Sequence, residues 1–441
     1  MPLPAYKDNL PSFPGCRMSP PPSSPPVPSP ALRAADLLHP AVAALVSVIV
    51  NYGGTFVLVF QAARVAGLGP ELTASWVWSV SIGVGLTGIA LSVWARAPII
   101  TAWSTPAAAF LVTALAGVSY PEAIGAYLAS AAAFVLLGLS GGFEKVVRWI
   151  PPGIAAALLA GILLPFGIGA FAGINIDPLL AGVLILAYLV LKRISARYAV
   201  VGILLLGIAL LVAQGRIDLA ALELKIATPV FTAPAFSINA LLGVALPLFL
   251  VTLTGQYMPG MLVLRNDGYT TSANPIVAVT GLGSLLMAPF GAHAFNVAAI
   301  TAAICTGRHA HEDPRKRWLA GVAAGVFYVI VGVFGLTLAA LFMAIPATFI
   351  STLAGLALLG AIGGSLATAM ADARGREAAL VTFLAAAANI QLFGIGGAFW
   401  GLVIGLLAHL LLDARLPRRC TRPAAGTATH RQPTAPEAPH V

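Results

Sequence analysis

Charge is scarce in this sequence. Asp, Glu, Lys and Arg make up 9% of its 441 residues, against about 25% in a soluble domain. That deficit excludes a soluble globular fold, because no domain of this length could hide so much apolar surface. Cysteine is scarce as well. Cys16, Cys305 and Cys420 lie far apart, which excludes a disulfide framework or a cysteine metal cluster. Also missing are a zinc-protease HExxH, a phosphate-binding loop and an acidic cluster, so the chain reads as no enzyme, with no cofactor and no metal. No nucleic-acid motif accompanies the net charge of +9. Its basic residues sit in short loops and tails, as topology signals do. The apolar runs lack period-2 alternation, which excludes an outer-membrane barrel.

What is present is 59% hydrophobic residues and a mean hydropathy of +0.93. Apolar runs near the roughly 20 residues needed to span a bilayer recur along the chain. In lipid every backbone polar group must be satisfied internally, so these spans are helices. The expectation is an all-α polytopic membrane protein with about 14 segments. Residues 1–35 form a Pro-rich tail, read as disordered, and residues 414–441 a second such tail. Seven spans fall in 36–214, roughly at 38–63, 72–94, 97–117, 121–141, 151–173, 178–191 and 198–214. After a connector at 215–235, seven more fall in 236–413, roughly at 237–263, 273–290, 291–307, 317–344, 347–370, 377–394 and 396–412. This count puts only Arg64, Arg216 and Lys225 in external loops and the other loop cations inside. That asymmetry predicts an inner-membrane protein with both termini cytoplasmic.

The halves repeat. Ile150–Gly161 resembles Ile345–Gly355 with a one-residue slip. Two polar-interrupted segments, Thr101–Ala109 and Gly291–Ala299, hold matching places in the two halves. Seven spans per repeat is odd, so the second repeat is inverted relative to the first. Pro98 and Pro106 bar a continuous helix in span 3. An extended stretch should lead to a helix starting at Ser104–Thr105, with Pro106 in its first turn. In span 10 the matching break is Phe295–Asn296, with Asn296 as N-cap. Two half-helix N-termini facing each other make an anion site. His293 is the one ionisable side chain expected near the bilayer centre, and a candidate for proton coupling. Asn51, Tyr52, Gln256 and Tyr257 interrupt spans 1 and 8 and are candidates to line the cavity. With Trp103 and Phe295 that lining would be aromatic and suited to a flat ring. His309, His311, Glu312 and Asp313 resemble a metal site but read better as a solvated basic loop.

The stretches Val59–Ala63, Ala97–Pro106, Ala245–Val251, Gly291–Asn296, Ala299–Cys305, Leu353–Leu359 and Ala398–Gly401 resemble the benzoate/proton symporter family. That family is similar in fold to nucleobase permeases and sulfate/anion carriers. The resemblance implies a core of spans 1–4 and 8–11 and a gate of spans 5–7 and 12–14. Nucleobase permeases hold the base with acidic residues in spans 8 and 10, where this chain has Gln256 and His293. It therefore implies proton-coupled uptake of a small aromatic carboxylate across a lipid bilayer. The carboxylate would sit at Ser104–Thr105 and Phe295–Asn296, and the ring against Trp103, Tyr52 and Phe295. A nucleobase or inorganic anion carrier of the same fold, and behind them an anion channel, are the alternatives. A homodimer is compatible with the sequence, which is silent on it.

Overall fold

The computed structural model describes residues 35–196, 198–217, 223–299, 301–308 and 310–412. Both tails, part of the connector, and Arg197, His309, Cys16 and Cys420 lie outside the described residues.

The first half contains α1 (Ala35–Thr55), α2 (Val57–Val65), α3 (Pro70–Ala95), a strand β1 (Thr101–Trp103), α4 (Thr105–Ala114), α5 (Tyr120–Leu139), α6 (Phe143–Trp149), α7 (Pro152–Ala172), α8 (Pro178–Ile194) and α9 (Ala199–Ala213). The second half opens with one continuous helical run. It comprises α10 (Ile238–Ala240), α11 (Leu246–Thr252) and α12 (Met258–Asn266), joined by π turns at Leu241–Ala245 and Leu253–Tyr257. Then come α13 (Ala273–Met287), β2 (Phe295–Val297), α14 (Ala302–Thr306), α15 (Trp318–Val333), α16 (Gly335–Ala344), α17 (Ala347–Ala369), α18 (Arg376–Ala387) and α19 (Gly397–Leu412). Proline in the first turn starts several of these helices, where its missing N–H costs nothing. Pro70, Pro121, Pro152 and Pro178 do so for α3, α5, α7 and α8. Ser119 and Glu122 add a capping box to α5, and the Asp177 side chain caps α8 through the Leu180 N–H.

Among the described residues, eight helices are long and apolar enough to cross a membrane. The molecule is an α-helical polytopic membrane protein with discontinuous segments. Span 1 breaks at Phe56 between α1 and α2, and the stretch read as span 11 breaks at Phe334 between α15 and α16. Among the described residues, two short strands interrupt the helices and form the antiparallel pair β1–β2, in the register Thr101↔Val297, Ala102↔Asn296 and Trp103↔Phe295.

Packing sorts the helices into two groups. In one, α3 lies on α15, α5 on α13 and α1 on α15. In the other, α7 lies on α17 and α18, α8 on α9 and α17, and α18 on α19. Loop contacts define two faces. On one face Arg265 pairs with Glu144, Arg96 lies 4.6 Å from the Trp318 ring centroid, and Lys316 bonds Asp36 at 2.8 Å. On the other, Arg64 donates to the Phe342 and Ile345 carbonyls, Arg216 pairs with Asp177, and Thr232 and Ala235 donate to the Pro289 and Pro121 carbonyls.

Candidate functional site

The two interrupted segments meet. Extended backbone at membrane depth survives only where its polar groups find partners in the protein, and β1 and β2 supply them to each other. The ladder continues on both sides, through Ser104 N–H to Ala294 C=O at 3.0 Å and Ala298 N–H to Ile100 C=O at 2.8 Å. At its end Ser104 caps α4: its hydroxyl accepts from the Ala107 N–H (3.3 Å) and from the Thr252 hydroxyl (2.9 Å). The helix start at Ser104–Thr105–Pro106 is thus where the proline spacing put it. The second break differs. Asn296 is not an N-cap, because it pairs with Ala102 inside β2. Its amide, oriented to satisfy its neighbours, accepts from Ser104 N–H at 2.9 Å and donates to Val297 C=O at 3.1 Å. The following helix, α14, starts only at Ala302 and is five residues long. The strand pair consumes the residues that sequence reasoning gave to a helix N-terminus.

Beside the strand pair lies a cavity of about 950 Å³ between the two helix groups. Its inner end is lined by Asn51, Trp103, Thr105, Pro106, Thr254, Gln256 and Thr301. Its mouth, on the face of the Arg265–Glu144 pair, includes Lys192, Glu144 and Arg265. Trp103 is fully buried, and its indole N–H has no acceptor in the protein. Its ring is held edge-on by Phe56 (4.6 Å), Tyr52 (5.1 Å) and Tyr328 (6.0 Å). Asn51 donates to the Tyr328 hydroxyl at 2.7 Å.

Of the ten residues singled out from sequence, Asn51, Trp103, Thr105 and Gln256 line this cavity. The other six stand behind it. Tyr52 bonds Ser81 through its hydroxyl (2.6 Å) and supports the Trp103 ring. Ser104 is spent on the cap. Tyr257 follows Gln256 on one helix, so its side chain is turned about 100° away. It bonds Thr280 (2.6 Å) and the Phe295 carbonyl (2.9 Å) in a separate core cluster. Phe295 is wedged between Gly83 and Gly283, where a Cβ would sit 2.2 Å and 3.2 Å from its ring. Asn296 is fully buried.

His293 is also sealed from the cavity, at 1% exposure. Its Nδ1 accepts from the Trp76 indole N–H at 3.2 Å, which places the proton of the neutral ring on Nε2. The Ser104 backbone lies beside it. Around Trp76 stand Tyr120 and Tyr127, whose buried hydroxyls have no partner in the protein.

Sequence reasoning missed Thr254, Thr301, Tyr188, Lys192, Glu144 and Arg265. Tyr188 and Lys192 carried a usable signal, being four apart on one helix face. In the 307–317 loop, His311 accepts from Asp313 N–H at 2.9 Å. The loop is pinned rather than loose: Arg317 donates to the carbonyls of Thr306, His311 and Glu312.

Residues 36–411 match the family described as benzoate membrane transport protein. The chain belongs to that family. It is 42% identical over 375 residues to the benzoate membrane transport protein of Acinetobacter baylyi, covering 85% of this chain and 95% of that one. It is 41% identical over 372 residues to the inner membrane protein YdcO of Escherichia coli, covering 84% and 95%. Among solved structures, SLC26A9 aligns with TM-score 0.59 at 11% identity, covering 87% of this chain and 66% of that longer one. The transmembrane domain of a cyanobacterium bicarbonate transporter, BicA, aligns with TM-score 0.56 at 15% identity, covering 86% and 98%. At such identities these two speak for the fold alone. The chain thus shares its fold with those two proteins.

Proposed function

We infer that the protein is a secondary active transporter of benzoate or a close aromatic carboxylate, coupled to protons, in the inner membrane. The observation that carries the reading is the cavity at the strand pair. It is apolar along its walls, with the buried Trp103 ring directly behind its inner end, and offers polar groups there: the Thr105 hydroxyl and the amides of Asn51 and Gln256. A flat ring with one carboxylate matches that distribution, and no acidic residue at the inner end would repel it. The names of the Acinetobacter relative and of the family support the same cargo.

The carboxylate is received by Thr105 and Trp103 at the start of α4, and the ring lies on Trp103, with Tyr52 behind it. His293 is the proton-coupling group, reached when Trp76 releases Nδ1. Ser104, Tyr257, Phe295 and Asn296 act by holding the strand pair in place. Fourteen segments form two inverted repeats, 36–214 and 236–413. The packing supports this: exchanging the repeats turns the α3–α15 pair into the α13–α5 pair, and α8–α9 into α18–α19. The α7–α17 pair and β1–β2 map onto themselves. Spans 1–4 and 8–11 move as a core against a gate of spans 5–7 and 12–14. Both termini lie in the cytoplasm, and the cavity opens to that side. A homodimer would use exposed leucines such as Leu406, Leu407, Leu410 and Leu411 of α19, and its mass in nanodiscs tests it.

Proteoliposomes with an imposed proton gradient should accumulate labelled benzoate. Unlabelled benzoate should compete, and uracil and sulfate should not. Uptake blocked by uracil or sulfate but not by benzoate overturns the cargo. Uptake by His293→Ala that stays fully dependent on the gradient overturns the coupling role.

A further inference from the structure

The cavity lining carries three charged side chains, Glu144, Lys192 and Arg265. Two of them neutralise each other, since Arg265 donates to the Glu144 carboxylate. Lys192 has no carboxylate partner among the described residues. Tyr188 holds it instead. The Lys192 ammonium donates to the Tyr188 hydroxyl at 2.9 Å and lies 5.1 Å from the ring centroid. Tyr188 is 4% exposed and sits one helical turn earlier on α8, so its fixed ring aims the ammonium. Both residues line the cavity, among apolar neighbours such as Leu159, Leu163 and Val200. Lys192 and the adjacent Arg193 are both exposed, but only Lys192 belongs to the lining. A topology signal requires a cation near this face; it does not require one turned into the cavity. The lining therefore holds one excess positive charge at the mouth of a largely apolar cleft, which concentrates anions.

We propose that Lys192, oriented by Tyr188, is a carboxylate-binding subsite at the mouth of the cavity, where an aromatic carboxylate docks on its way to or from Trp103 and Thr105. This rests on the reading of the cavity as the transport path. The ammonium has three donors. Tyr188 accepts one, and two remain for the carboxylate oxygens. The ligand ring lies against the apolar wall. Benzamide, which has the ring without the charge, gains nothing from the subsite.

The test uses the full chain in proteoliposomes, with benzoate presented at the cavity-mouth face. Lys192→Gln should raise the half-saturating benzoate concentration about tenfold, as expected for loss of a charge-assisted hydrogen bond. Lys192→Arg should stay near wild type, and Arg193→Gln should be unchanged. A second arm works on protein already folded. In a Cys16→Ser, Cys420→Ser background, Lys192→Cys is treated with thiosulfonates. A positively charged reagent should restore affinity and a negatively charged one should weaken it further. Benzoate, but not benzamide, should slow the modification. Equal half-saturation in wild type and Lys192→Gln, or modification indifferent to saturating benzoate, overturns the subsite while wild-type transport stands. A wild-type protein that neither binds nor moves benzoate overturns the functional reading and this subsite together.

Discussion

Trp76 spends its one polar hydrogen on His293 Nδ1. A second proton on the imidazole has nowhere to go but that nitrogen, so protonation requires the indole to move. Trp76→Phe deletes the donor and trims the buried indole to a single ring. It should cost about 1–3 kcal/mol of stability from the lost hydrogen bond and the space left behind, read as a lowered thermal midpoint, and alter the gradient dependence of uptake. Trp78→Phe should leave that dependence unaltered. Packing sets the second prediction at this scale. A methyl on Gly83 would lie 2.2 Å from the Phe295 ring, so Gly83→Ala should destabilise by about 1–3 kcal/mol and lower the yield of folded protein. The sequence marked Phe295 because it flanks the break in span 10, and Tyr257 because it lies in the polar centre of span 8. Which way each side chain turns depends on what packs behind the break, and local sequence does not carry that. Gln256 and Tyr257 show it: adjacent in the chain, one meets the cavity and the other a closed aromatic cluster.

The elements themselves were largely legible. Proline and Ser/Thr placement located the α4 start within the Ser104–Pro106 stretch, and hydropathy located nearly every helix. Span 10 was misjudged because a strand three residues long has no periodicity to read, and its partner lies in the other half of the chain. That pairing makes a prediction. Ala102→Pro removes the N–H opposite Asn296, leaving a buried acceptor unmatched at about 1–3 kcal/mol, and should abolish uptake in protein that still inserts. At the other face, Asp177 caps α8 and pairs with Arg216. The Arg216 hydrogen bond, helped by the Leu180 N–H, holds the Asp177 carboxyl below its ordinary value. A lowered folded-state value means the contribution is complete above the ordinary aspartate range and fades as pH falls through the lower folded value. Asp177→Ala should therefore lower the thermal midpoint at neutral pH, by about 0.5–2 kcal/mol for the lost cap. The gap to wild type should close in strong acid.

At the scale of the whole molecule the cavity reaches the strand pair from the face that carries Glu144, Lys192 and Arg265. On the opposite side, Phe110 and Ala114 of α4 close against Gly161, Asn389 and Ala398, leaving a cleft of about 20 Å³. In protein whose native cysteines are replaced, Thr254→Cys and Ser365→Cys should react with a membrane-impermeant thiol reagent added at the Lys192 face. Ala398→Cys should stay protected from both faces until a substrate gradient drives the exchange. Equal reactivity of all three would argue for a continuous pore. The sequence foretold a polytopic helical membrane protein through its long apolar runs. It did not foretell the cavity, whose lining comes from seven separated stretches that only tertiary packing assembles.

The strand pair also bears on synthesis. Thr101 must wait for Val297, its partner roughly 200 residues later. At about 5–20 residues per second that is roughly 10–40 s. Throughout that interval the nascent first half carries an extended, unpaired backbone that lipid will not tolerate. The ribosome-bound chain must keep this stretch in the insertion machinery or against water until its mate arrives. The first half expressed alone should be degraded, and co-expression of the second half as a separate polypeptide should rescue it.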